Sequence, residues 1–283
     1  MPRDSTERMA PARAADIAEL AEEVSVTRYP TGCVDPGAIA VSLGITLSFN
    51  DYADSFDGML EHRAGRFHIF VNLRRVGTKD SPRSRFTLGH ELGHYYIDDH
   101  RRALASGRAP AHKSICEYRS KSVVEAEADH FASNLLLPKP RFLDQARKYA
   151  VGLPGIIKIA GHFGASITST AIRYASLDVS PCAVIKWDDL AFGWKWLSRG
   201  TFEARLFRTI ESTAQLPQDC PTARALRGEA APKGYFEAGT TATAWYKAVA
   251  AEGYRNVLLM EQAMQLGQYG VLTFLYPLEG KYG

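Results

Sequence analysis

The residues of this chain whose types and spacing could do chemistry are His90-Glu91-Leu92-Gly93-His94. Side chains four apart on a helix lie one above the other on a single face. Both imidazoles could then reach one ion, while Glu91 projects beside the open coordination position. This H-E-x-x-H arrangement supplies two zinc ligands and a general base, and its chemistry is metal-assisted hydrolysis. The plainer alternative is a surface helix with solvated histidines. Phe86, Leu88, Leu92 and Tyr95 argue against it, because they supply the apolar positions of a buried helix.

A catalytic zinc takes three protein ligands and keeps one position for water, so a third ligand must come from elsewhere. His100 has the spacing of the extended H-E-x-x-H-x-x-G-x-x-H motif. That motif turns on a glycine where this chain has Ile97, and no methionine lies between Met59 and Met260 to form its Met-turn. His100 is therefore set aside as a ligand. The stretch Glu125-Ala126-Glu127-Ala128-Asp129 fits better. Glu125 and Asp129 share a helix face, with Glu125 as the third ligand. Asp129 would accept a hydrogen bond from the free nitrogen of a ligand histidine, a contact that fixes tautomer and ring orientation. Glu127 projects about 160° from the side of Asp129. It is the reserve ligand, its plainer reading being a solvated or salt-bridged helix residue. His130, beside the cluster, suits a structural or supporting role better than ligation.

These residues must be carried by helices. The first motif falls on a helix expected over Arg83 to Ile97, capped by Ser81 or Ser84. The second falls on a helix from about Ser122, stopped by Pro138. Residues 1–15 read as a flexible tail, followed by a helix over Asp16–Val24 with Ile17, Leu20, Ala21 and Val24 on one face. A short helix over Pro36–Leu43, ended by Gly44, precedes strands at Ile45–Phe49, Asp57–His62 and Phe67–Asn72. Ala64-Gly65 marks a hairpin between the last two strands. Residues 101–120 read as a loop, and further helices are expected at Lys139–Tyr149 and through Ile156–Leu177. After Pro181 the texture changes to apolar and aromatic strands at Cys182–Trp187, Leu190–Trp196, Val257–Met264 and Tyr269–Tyr276. The expected class is α+β. It divides into a peptidase-type domain over 16–150, a helical, helix-turn-helix-like extension over 151–178, and a C-terminal α+β domain over 179–283 that is a candidate sensor or regulatory module.

Composition narrows the classes. With 283 residues, 46% apolar and 23% charged, the chain has the make-up of a folded globular protein. A net charge of +3 is too weak to imply nucleic-acid binding by itself. The four cysteines, Cys33, Cys116, Cys182 and Cys220, form no C-x-x-C pair. They read as reduced thiols, neither a zinc knuckle nor a secreted disulfide framework. The first residues lack the apolar stretch of a secretory signal, and nowhere do ~18 apolar residues run together. A cytoplasmic location is expected.

At RFTLGHELGHYY (85–96) and EAEADHFASNLLLP (125–138) the chain resembles the ImmA/IrrE family of zinc peptidases. The resemblance extends over about residues 16–178. It implies a zincin-like fold, with zinc held by His90, His94 and Glu125 and with Glu91 as general base. Two departures stand out: Gly89 where alanine is common, and Asp98 where many relatives carry a further histidine. The resemblance also implies a protein partner, a helix-turn-helix transcriptional repressor cleaved to induce a stress-response or mobile-element programme. Two rival readings accompany it. In one, IIKIAGHFGASITSTAIRYASL (156–177) is a DNA-binding helix-turn-helix carrying Lys158, His162 and Arg173; helices packing on the core are the plainer account. In the other, the chain is a zinc-bound regulatory module with little turnover, against which the intact Glu91 argues. The sequence does not set the oligomeric state.

Overall fold

The computed structural model describes residues 9–108, 112–114, 122–188, 191–199, 216–245 and 258–278. Two compact units result, one from residues 1–142 with 160–166 and the other from 143–159 with 167–283.

In the first unit, helix α1 (Pro11–Arg28) begins at a proline, whose fixed φ suits a first turn. It thus starts within the segment 1–15 read as a tail; residues 1–8 lie outside the described residues. Its buried stripe is Ile17, Ala21 and Val24. Helix α2 (Pro36–Ser42) is capped by Asp35, which accepts from the Ala38 N–H. Strands β1 (Thr46–Asn50), β2 (Gly58–Arg63) and β3 (Arg66–Asn72) follow. Ala64 and Gly65, at φ 51° and 77°, turn the β2–β3 hairpin in the manner its twist requires. After a single helical turn, α3 (Leu73–Val76), comes α4 (Pro82–Tyr96). The Ser81 hydroxyl caps α4 by accepting from the Ser84 N–H at 3.0 Å.

Helix α5 (Asp98–Ala105) and strand β4 (His112–Ser114) fall in part within the segment expected to be a loop, of which residues 109–111 and 115–120 lie outside the described residues. Neither announces itself, since α5 buries only His100 and Leu104 and β4 is three residues long. Helix α6 (Val123–Leu136) closes the set, and the sheet order is β1-β3-β2-β4, with β1–β3 parallel and the other pairs antiparallel.

The connection from β1 to β2 is held from below. Buried Asn72 donates to the carbonyls of Ala53 and Phe56 and accepts from the Tyr52 N–H. Asp57, fully buried, takes Arg75 at 2.5 Å and Arg83 at 2.8 Å. These contacts fix where β2 starts.

The expected helical run 156–177 is two helices, α8 (Leu153–Phe163) and α9 (Ile167–Ser176), after α7 (Lys139–Ala146). Gly164 at φ 60° separates them. In the second unit, β5 (Ala183–Asp188), β6 (Ala191–Leu197), β7 (Phe236–Thr241), β8 (Leu258–Gln265) and β9 (Val271–Pro277) form an antiparallel sheet ordered β6-β5-β9-β8-β7. Trp187, Phe236, Trp245, Leu259 and Leu275 lie in its core. Strand β7 and a short helix at Pro221–Leu226 were not legible in the sequence: β7 sits at an edge, with exposed Glu237, Ala238 and Gly239 in place of an apolar alternation. Cys33, Cys182 and Cys220 are free thiols, and Cys116 lies outside the described residues.

Helices α4 and α6 approach at backbone distance. A Cβ on Gly93 would lie 3.0 Å from the Ala128 Cα and 3.2 Å from the Phe131 Cβ, and one on Gly89 would lie 3.3 Å from the Ala132 Cβ. The Gly93→Ala variant must push the helices apart. It is expected to lose about 1–3 kcal/mol, the usual cost of overpacking, in chemical denaturation. Gly89→Ala is expected to lose less, because its Cβ would meet the Ala132 Cβ at 3.3 Å rather than backbone at 3.0 Å, so about 1 kcal/mol of helix propensity offsets more of the cost.

Candidate metal centre

The close approach of α4 and α6 sets carboxylates of one helix against imidazoles of the other. Among the described residues, His90, His94 and Glu125 each offer a ligand atom within 4.8 Å of the others. The two Nε2 atoms are 3.1 Å apart, and Glu125 reaches His90 Nε2 at 3.5 Å and His94 Nε2 at 3.3 Å. Both histidines are buried to 1% exposure, while Glu125 keeps 15% of its side chain exposed, so the group is buried at the imidazoles and partly open at the carboxylate. Three groups of the N, N, O type with a path to solvent are what a catalytic zinc site uses.

Each imidazole is also held from behind. His90 Nδ1 donates to Asp129 at 2.8 Å, the contact expected of that residue. Burial works to lower the His90 pKa. Hydrogen bonds to Asp129 and Glu125, with the charges of Glu91 and Asp129, outweigh it and raise the ring to about 10. The acidic groups around the ring thus favour its protonated form.

His94 is held by a residue that sequence reasoning had set aside. His100, not one of the three convergent groups, places its Nδ1 3.1 Å from His94 Nδ1 and its Nε2 3.0 Å from Glu127. Glu127, the reserve ligand, is thus turned away from the centre and is salt-bridged, as its plainer reading had it. Arg13 of α1 donates to both its oxygens, at 3.0 and 2.9 Å. Burial works to raise the Glu127 pKa, but hydrogen bonds and charge from Arg13, with His100, hold it below the ordinary carboxylate range. His130 plays a structural part, its Nε2 lying 3.0 Å from the Ala14 carbonyl and fastening α6 to α1. No sequence signal marks Arg13 or His100 for these contacts, because both depend on how α1 and α5 fold over α6.

Glu91 is fully buried. A Cβ at position 58 would stand 2.5 Å from its Oε1 and 2.5 Å from the Thr87 methyl, so the glycine that opens β2 is what gives the carboxylate its room.

Residues 45–174 match the family described as the IrrE N-terminal-like domain, Peptidase_M78. The chain carries a domain of that family. Its fold is zincin-like, and the family is one of metallopeptidase-type domains. Among solved structures, a Mycobacterium tuberculosis transcriptional regulator is similar in fold, with a TM-score of 0.57 and 13% identity. The match covers 97% of this chain and 90% of that one. No curated protein matches. Among the described residues, no helix is long and apolar enough to cross a membrane.

Removing Glu125 takes away the anionic member of the three. Glu125→Ala is expected to abolish stable uptake of zinc by the metal-free protein, and Asp129→Asn to weaken it about 10–100-fold, the usual effect of losing a partner behind a ligand histidine. Competition against a chromophoric chelator measures both.

Proposed function

We propose that this chain is a zinc-dependent endopeptidase that cleaves a helix-turn-helix transcriptional repressor and so induces a stress-response or mobile-element programme. The observation that carries the peptidase part is the convergence of His90, His94 and Glu125, with buried Glu91, next to His90 in the chain, acting on the His90 ring by its charge. The donor set fits zinc: His90 Nδ1 and His94 Nδ1 are engaged elsewhere, which leaves both Nε2 lone pairs for an ion. Bound there, zinc would supply Lewis acidity, which polarises a peptide carbonyl and makes a water acidic near neutrality.

The protein's own groups do the rest. Glu91 is the general base, taking a proton from the attacking water and passing it to the leaving amine. Its burial beneath β2 keeps bulk water from competing for that proton, and the glycine at position 58 lets it sit there. Asp129 holds the His90 ring in the tautomer that ligation needs.

The repressor substrate rests on the resemblance to the ImmA/IrrE peptidases. The description of the fold neighbour as a transcriptional regulator accords with a role in transcription. Direct binding of DNA by α8 and α9 has less support. Arg173, one of the three cations there, is buried, and Ile159, Ala160 and Phe163 are taken up in packing.

Glu91→Gln is expected to keep zinc at parent affinity and to lose cleavage by at least about 100-fold. Gly58→Ala, which displaces the Glu91 carboxylate, should also keep zinc while lowering kcat by about 100-fold. The deciding experiment incubates the zinc-loaded protein with helix-turn-helix repressors and maps the fragments by mass spectrometry, with Glu91→Gln as control. Fragments absent from the control carry the proposal. Tight zinc binding without cleavage of any would favour a regulatory module with little turnover.

A further inference from the structure

The contacts behind His94 have a direction, and it leads out of the family-matched segment. On the reading of His90, His94 and Glu125 as a zinc site, His94 must present an unprotonated Nε2 to the ion, so its proton sits on Nδ1. The atom 3.1 Å away, His100 Nδ1, must then accept. A neutral imidazole that accepts at Nδ1 carries its proton on Nε2. That nitrogen is 3.0 Å from Glu127 Oε2, an acceptor. Glu127 receives two further hydrogen bonds from Arg13, in the forked geometry that guanidinium and carboxylate share. Each donor is fixed by the one before it, so the tautomer imposed by the ion at His94 is matched by every group as far as α1. His94, His100 and Glu127 are all buried, where a mismatched donor or acceptor is expensive.

We infer that His100, Glu127 and Arg13 act as one positioning relay for His94, so that helix α1, which precedes residues 45–174, is part of what holds the metal centre. The two histidines are thus supported differently. His90 leans on a carboxylate directly, while His94 leans on a neutral ring that passes the demand to Glu127. The rival account is that Arg13 and Glu127 merely dock α1 on α6 and His100 fills the space between.

The two accounts separate in metal binding by the full chain. Zinc affinity is measured by chelator competition with metal-free protein, and ligand geometry by the visible absorption of the cobalt-substituted form. His100→Ala and Glu127→Ala are each expected to weaken zinc about 10–100-fold and to alter the cobalt spectrum. The double variant should be no weaker than His100→Ala, because Glu127 reaches the ion only through that ring. His100→Gln, whose amide can accept on one side and donate on the other, should restore much of the loss, and Arg13→Met should cause a smaller one. Parent-like affinity in His100→Ala, or losses that add in the double variant, would overturn the relay. Should the variants not fold, nitrogen NMR of the imidazoles in the zinc-loaded parent decides: a proton on Nε2 of His100 supports the relay, and one on Nδ1 overturns it. A parent chain that takes up no zinc would fell the metal reading itself, and the relay with it, whereas zinc uptake indifferent to these variants would fell the relay alone.

Discussion

Helices α4 and α6 touch backbone to backbone where Gly93 meets Ala128, and the site exists because of that contact. Side chains of ordinary size at an interface hold helix axes about 8–10 Å apart. At such a spacing a glutamate on α6 could still reach the centre, but Asp129, one methylene shorter, would struggle to stay at 2.8 Å from His90. The small residues Gly89, Gly93, Ala128 and Ala132 therefore work together with the charged ones. They are also what the sequence motifs leave between their chemical residues: the x-x of H-E-x-x-H holds Gly93, and the stretch after Glu125 holds Ala128 and Ala132.

Close approach has an electrostatic consequence. Glu91 and Glu127 are buried, Glu125 and Asp129 mostly so, and two imidazoles stand among them. Burying carboxylates is costly unless each finds a compensating charge or a set of donors. Glu127 finds Arg13, Glu125 meets the imidazoles of His90 and His94, and Asp129 meets that of His90. A cation at the centre would relieve the excess, which is why the same arrangement pushes His90 toward its protonated form. The polar residues that are costly as plain structure are the same ones that could hold a metal ion.

What the sequence disclosed follows a physical line. The helices α4 and α6, the Ala64-Gly65 hairpin and the Ser81 cap were legible because each depends on neighbours within a turn or two. Glu125 and Asp129 were legible because helical spacing places both on one face. Residues whose part depends on packing at a distance were not. His100 carried a motif spacing that pointed to ligation, and the motif's missing glycine ruled that out, yet nothing local could show that its ring would stand directly behind His94. Arg13 lay in a stretch that reads as a tail, since charge and small residues dominate there, and it becomes helical because Ile17, Ala21 and Val24 have α6 to pack on. Gly58 was likewise silent, being an ordinary glycine at the start of a strand until Glu91 is seen beneath it.

The position of that glycine is itself a product of buried polar groups. If the β1–β2 connection were slack, β2 could slip along β3, and a one-residue slip would turn every side chain to the other face. Asn72 ties the connection to Ala53, Phe56 and Tyr52, and Asp57 joins it to Arg75 and to Arg83 in the first turn of α4. The N–H of Asp57 also bonds the Ser114 carbonyl, which brings β4 into the same register. Thus the residue immediately before Gly58 is clamped to the helix that carries Glu91, some two turns upstream of it. The strand that makes room for the carboxylate and the helix that presents it are tied together, so the place of Glu91 against β2 is secured from both sides.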